Sequence, residues 1–142
     1  MQLHIETSNG IPIYEQICRQ VKFAVANKAL QVGDHVPSVR EMAGRLAVNP
    51  NTVSRAYRDL QADGVLIPIR GTGLAVTPEA PGKCQSERLD MIRERLRLVL
   101  AEARHNQITP DEIRQLVESE LQRLDALEDE NASQLVTAEE TA

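Results

Sequence analysis

Two helix-start signals placed close together constrain this chain more than any other feature. Ser38-Val39-Arg40-Glu41 follows Pro37 and carries the Ser-x-x-Glu pattern, in which a hydroxyl and a carboxylate can satisfy orphan backbone donors at a helix N-terminus. Asn49-Pro50 gives a second start, an N-cap residue followed by proline at the first helical position, where the missing N–H is no loss. Val39, Met42, Ala43 and Leu46 fall on one apolar helical stripe, and Val53, Ala56, Tyr57 and Leu60 fall on another. Two short amphipathic helices joined so briefly must cross steeply.

A hairpin comes next along the chain. Asp63-Gly64 stops the second helix, and Val65-Leu66-Ile67 and Leu74-Ala75-Val76 read as short strands around a tip of Arg70-Gly71-Thr72-Gly73. Helix, turn, helix and hairpin in that order spell a winged helix-turn-helix, and so imply sequence-specific binding to double-stranded DNA. Opposite the Val53 stripe lie Asn51, Arg55 and Arg58, flanked by Thr52 and Ser54. Asn can pair with adenine and Arg with guanine by bidentate hydrogen bonds in the major groove, while small hydroxyls reach phosphates or either base. On an isolated helix such a face would be ordinary solvated surface; its place after a capped helix and before a wing gives it meaning. At the tip, Gly71 and Gly73 permit close approach to a sugar-phosphate surface, and Arg70 can enter a minor groove or pair with a phosphate.

Charge sharpens the picture. The net charge of −5 speaks against a simple electrostatic binder. The acidic excess lies beyond residue 80, whereas Pro37 to Arg58 sets Arg40, Arg45, Arg55 and Arg58 against Glu41 alone, the local patch a DNA contact requires. At 142 residues the chain is too short for an elaborate catalytic domain beside a DNA reader. Cys18 and Cys84 form no metal-ligand spacing, and His4, His35 and His105 are scattered without convergent acids. No nucleophile–base arrangement or phosphate loop stands out, so no catalytic role, metal or cofactor is expected. The absence of a long apolar run or signal-peptide pattern leads us to expect a cytoplasmic protein without a membrane partner.

The expected fold is mainly α with a small β-hairpin wing. Residues 1–77 make the DNA reader: a short extended lead through Leu3 and Ile5, a helix opened by Pro12 whose stripe places Cys18 as a buried thiol, then the helix pair and the wing. Residues 78–85, rich in Pro and Gly, read as a linker containing Cys84. Residues 86–131 read as a two-helix dimerisation hairpin. Ser86 caps the first helix, striped by Leu89, Ile92, Leu96, Val99, Leu100 and Ala103; Thr109-Pro110-Asp111-Glu112 opens the second, striped by Ile113, Leu116, Val117, Leu121 and Leu124. Residues 132–142 are expected to be a flexible tail. Two helices share only one face and cannot enclose a core, so the stripes are most simply buried against a second subunit, giving a homodimer on a two-fold operator.

The run from Pro12-Ile13-Tyr14-Glu15-Gln16-Ile17, through Gly33-Asp34, Pro37-Ser38 and Arg40-Glu41, to Val48-Asn49-Pro50-Asn51-Thr52-Val53-Ser54-Arg55-Ala56-Tyr57 and Asp63-Gly64 resembles GntR-type transcription regulators. The Asn-Pro-Asn-Thr-Val and Ala-Tyr elements are similar to the YtrA subgroup. The resemblance implies a dimeric winged-helix repressor, often of operons for membrane transporters, with a short helical dimerisation unit. By position it implies Ser38 and Arg40 at the start of the first paired helix, with Arg40 on phosphate, Asn49, Asn51 and Thr52 at the start of the recognition helix, and the wing glycines at the minor groove. Pro50 and Ser54 stand where many members carry arginine, so Arg55 and Arg58 are assigned from the helical wheel alone. The wing departs as well: Gly71-Thr72-Gly73-Leu74-Ala75-Val76 replaces the usual Gly-x-Gly-Thr-Phe-Val. The alternative reading is a regulator that responds to a small-molecule effector bound at the dimer or domain interface.

Overall fold

The computed structural model describes residues 1–141, and the chain separates into two compact units, residues 1–92 and 93 onward. The first unit begins with an extended lead laid along α1 (Ile13–Ala26). Two glutamines one turn apart on α1 hold it there. Gln16 accepts from the Glu6 N–H at 2.9 Å and donates to the Glu6 and Ile11 carbonyls at 2.7 and 2.8 Å. Gln20 accepts from the His4 N–H at 2.8 Å and donates to the His4 carbonyl. Pairing alternate backbone units in this way turns Leu3 and Ile5 toward the core, against which both pack.

The two expected helices form where their caps place them. In α2 (Val39–Leu46) the Ser38 hydroxyl accepts from the Glu41 N–H at 3.1 Å. The reciprocal half of that box is not made, because the Glu41 carboxylate turns to Arg45 at 2.5 Å. A left-handed residue, Ala47, ends α2 with φ 54°, and the Val48 N–H closes on the Ala43 carbonyl at 3.1 Å. The Asn49 side chain then caps α3 (Pro50–Ala62) by accepting from the Asn51 N–H at 2.8 Å. α1 and α3 run against each other along a seam marked by three side-chain contacts on successive turns of α1: Tyr14 with Arg55, Cys18 with the Ala56 carbonyl, and Lys22 with Asp63.

The hairpin comprises β1 (Leu66–Ile69) and β2 (Gly73–Val76), antiparallel with Leu66 opposite Val76 and Ile69 opposite Gly73. A third backbone row, for which the sequence carries no local signal, lines the other edge of β2. The Gly33 N–H donates to the Val76 carbonyl, the Val76 N–H to the Asp34 carbonyl and the Val36 N–H to the Leu74 carbonyl, all at 2.9–3.0 Å. The hairpin is thus anchored to the segment that leads into α2. Below it Ile17, Val21, Val25, Val53, Leu60 and Val65 are almost completely excluded from solvent. Each such side chain contributes about 1.5–3 kcal/mol on burial.

Residues 78–85 are not a linker. α4 runs from Ala80 to His105, and Ala80 and Cys84, one turn apart, are both 0% exposed in the core of the first unit. Pro81 does not oppose this, since at the second helical position its missing N–H would have had no intrahelical partner. Ser86 accordingly lies inside α4, its hydroxyl donating to the Lys83 carbonyl at 2.9 Å instead of capping a helix start. Cys84 is the fully buried thiol, while Cys18 is only half-buried.

In the second unit, α4 from Arg93 onward is followed by α5 (Pro110–Thr141). Thr109 and Glu112 make the complete reciprocal box: the Glu112 N–H donates to the Thr109 hydroxyl at 3.2 Å and the Thr109 N–H to the Glu112 carboxylate at 2.8 Å. α5 continues through 132–141, where a flexible tail was expected; Ala142 lies outside the described residues. The segment contains neither Gly nor Pro, the strongest helix breakers, and the hydroxyls of Ser133, Thr137 and Thr141 find acceptors in carbonyls four residues back along the helix. No helix among the described residues is long and apolar enough to cross a membrane.

Candidate nucleic-acid interface

The apolar stripe of α3 dictates what the helix can present. With Val53, Ala56, Tyr57 and Leu60 buried, Asn51, Arg55 and Arg58 are exposed and Thr52 and Ser54 are half-exposed at the edges. The stripe is tied to the segment ahead of α2 by Tyr57, whose hydroxyl donates to the Pro37 carbonyl at 2.7 Å. Burial pushes this phenol well above the usual tyrosine range, so the donor proton stays in place at any pH of interest.

Ser38 and Arg40 stand exposed at the start of α2, and Asn49 is exposed ahead of α3. The capping bonds use the acceptor capacity of Ser38 and Asn49 and leave the Ser38 O–H and the Asn49 NH2 free as donors, the polarity a phosphate demands. Both sit at helix N-termini, where the backbone dipole favours an anion.

The wing carries Arg70, Gly71, Thr72 and Gly73, all exposed. Gly71 and Gly73 have φ of 80° and 102°, conformations that strain any side chain, so the tip is written for glycine at both places. The Thr72 N–H closes the turn on the Ile69 carbonyl at 3.0 Å. His35, on the third row of the sheet, meets the Thr72 hydroxyl at 3.0 Å and steadies the tip from the side. The starts of α2 and the wing converge: Ser38, Val39, Tyr57, Thr72 and Gly73 line one cavity of about 240 Å3. The residues expected to meet DNA from α2 and from the wing are therefore neighbours.

Two features have no signature in the sequence. His35 has no motif around it, and its role depends on a partner 37 residues away. The guanidinium of Arg55 does not extend freely from α3; it lies over the ring of Tyr14 on α1, 3.7 Å from the centroid. Nothing in the local pattern of either helix announces this contact.

Behind the interface, Lys22 joins three elements, reaching Asp63 at the end of α3 at 2.9 Å and Glu87 on α4 at 3.4 Å. Burial works against its charge, but the two carboxylates outweigh that and hold its pKa above the ordinary lysine value. Burial and nearby Asp59 push the Cys18 thiol up to about 11. No group of His, Cys, Asp and Glu among the described residues could hold a metal ion.

The stripe expected to dimerise is also laid out in the open. Leu89, Ile92, Leu96 and Val99 on α4, and Leu116, Val117, Leu121 and Leu124 on α5, are exposed, while Leu100 and Ile113 are half-buried. Within the second unit, residues from Leu96 to Ala103 and from Ile113 to Leu124 border an open groove of about 320 Å3, in which Glu120 is the one charged residue among those described.

These features have counterparts in known proteins. Residues 13–76, from α1 to the end of β2, match the family described as bacterial regulatory proteins, gntR family. The chain is 35% identical over 103 residues to the HTH-type transcriptional repressor YtrA of Bacillus subtilis (strain 168), covering 72% of this chain and 79% of that protein. A GntR family transcriptional regulator from Listeria monocytogenes superposes with a TM-score of 0.62 at 28% identity, over 79% of this chain and 97% of its own. YtrA from Sulfolobus acidocaldarius, a GntR-family transcription factor, does so with a TM-score of 0.53 at 32% identity, over 70% of this chain and 97% of its own. At 103 residues the likeness to the Bacillus repressor is longer than the winged helix and extends into α4. The chain belongs to the GntR family, is of the YtrA type, and is a DNA-binding transcription regulator.

Proposed function

We propose that this regulator is a homodimeric repressor that sets two α3 helices in successive major grooves of a two-fold operator, with each wing on the adjoining minor groove or phosphates. The observation that carries the reading is the composition of the one α3 face left uncovered, Asn51, Arg55 and Arg58 bordered by Thr52 and Ser54. These are base-edge donors and acceptors, without the apolar residues of a protein-docking helix. Ser38, Arg40 and Asn49 contact phosphate, and Arg70 to Gly73 follow the backbone or groove beside it.

The C-terminal hairpin is the dimerisation element. Leu96 at 46% exposure, Val99 at 57%, Leu116 at 54% and Leu121 at 51% are too many large apolar groups to leave in water along one groove. A second copy of the same hairpin offers a matching surface under two-fold symmetry. Repression follows when such a dimer occupies DNA that polymerase must use. Selection of a duplex from a random library by the full-length protein, followed by footprinting, tests this reading. Two protected half-sites about one helical turn apart are expected; a single unrepeated half-site would overturn the two-fold arrangement.

A further inference from the structure

The contact between Tyr14 and Arg55 assigns α1 a part in DNA reading. We infer that Tyr14 is a positioning residue: its ring holds the Arg55 guanidinium as a fixed plane on the α1 side of α3, so that the outer edge of the fork meets DNA already oriented. The inference rests on the proposed role of the α3 face and adds to it a residue from another helix.

Three observations support it. The guanidinium carbon is 3.7 Å from the ring centroid, a stacking distance, although Arg55 as a whole is exposed. The ring itself is not free to wander. Tyr14 is half-buried against the core, and the contacts of Cys18 with the Ala56 carbonyl at 3.3 Å and of Lys22 with Asp63 at 2.9 Å fix α1 against α3 over the next two turns. Arg55 also neighbours Ala56, whose carbonyl accepts from the Cys18 thiol, so it lies on the side of the exposed α3 face that borders α1.

Stacking uses the face of a guanidinium and leaves its N–H edge available, so a stacked arginine can still donate to a phosphate or to a guanine. A free arginine side chain must give up most of its rotamer freedom on binding. One held by a ring has already done so before DNA arrives, and the saving appears as affinity. An exposed stack of this kind corresponds to about 2- to 5-fold in binding.

The test uses the full-length protein and a duplex it has selected from a random library. Arg55→Ala should weaken binding, and Tyr14→Leu should weaken it by about 2- to 5-fold, while Tyr14→Phe, which keeps the ring, binds as the unaltered protein does. In the Arg55→Ala background Tyr14→Leu should have no further effect, since there is nothing left to position. The aliphatic protons of Arg55 in the free protein should show ring-current shifts in NMR that Tyr14→Phe keeps and Tyr14→Leu abolishes. A purely structural role for Tyr14 would give additive losses, and a direct contact by its hydroxyl would make Tyr14→Phe as weak as Tyr14→Leu; either result overturns the inference while leaving the proposed α3 face intact. Full binding by Arg55→Ala would remove Arg55 from that face and the inference with it.

Discussion

The Tyr57 hydroxyl on α3 donates to the Pro37 carbonyl at 2.7 Å, and this bond ties α3 to the residue ahead of the Ser38 cap of α2. Because the phenol is almost wholly buried, removing its oxygen leaves the carbonyl without its partner. Tyr57→Phe should cost about 1–3 kcal/mol in urea-induced unfolding. A variant with unchanged stability would mean that water replaces the bond at no cost.

The lead segment should be released by a single change on α1. Gln16 is buried and satisfies both backbone groups of Glu6 together with the Ile11 carbonyl, so Gln16→Leu leaves several polar groups with no partner. The expected loss is about 2 kcal/mol or more, accompanied by fast amide exchange over residues 4–11. Retained protection there would show that Leu3 and Ile5 anchor the lead alone.

Much of this architecture was legible in the sequence, and the divide between what was and what was not has a physical basis. The starts of α2, α3 and α5 were readable because Ser38, Asn49 and Thr109 cap within three residues of themselves, and the wing because strand and turn chemistry are local. Residues 78–85 misled because Pro81 and Gly82 are usually breakers. The spacing of Ala80 and Cys84 was the available signal, yet their burial is decided by packing against distant parts of the first unit. A break after Pro78 would therefore strip two residues from the core. The row at 33–36, the clasp of Gln16 and Gln20, and the stacking of Arg55 on Tyr14 all join residues far apart in sequence, and no periodicity records such pairings.

The two thiols should be inert in the folded protein. Burial raises the Cys84 pKa, and burial with Asp59 nearby raises that of Cys18 to about 11, so neither is appreciably a thiolate at pH 8. A thiol-reactive chromophore should label them slowly in buffer and rapidly in denaturant. For Lys22 the raised folded pKa means that its contribution is whole below the unfolded lysine value and fades only as pH climbs through the folded one, so Lys22→Met should be destabilising at neutral pH and nearly neutral in strong alkali. A cost that persisted in alkali would point to lost packing in place of lost charge.

Contacts to bases and to phosphates should separate in competition assays. Asn51→Ala is expected to cost about 1–3 kcal/mol on the selected duplex and little on random DNA, whereas Arg40→Ala should weaken both alike and reduce the salt slope by about 1. Equal losses on the two duplexes for Asn51→Ala would remove it from base reading.

Sedimentation equilibrium of the full-length chain, paired with operator binding at the same concentrations, tests the central claim most directly. The unaltered protein should be a dimer at micromolar concentration. Leu96→Glu with Leu121→Glu places unpaired charge along the groove of the second unit and should leave a folded monomer that binds the full operator about 100-fold or more less tightly, because the second reader no longer profits from being linked to the first. An unaltered chain that sediments as a monomer yet binds the operator tightly, or a doubly charged variant that remains a dimer, would contradict the account.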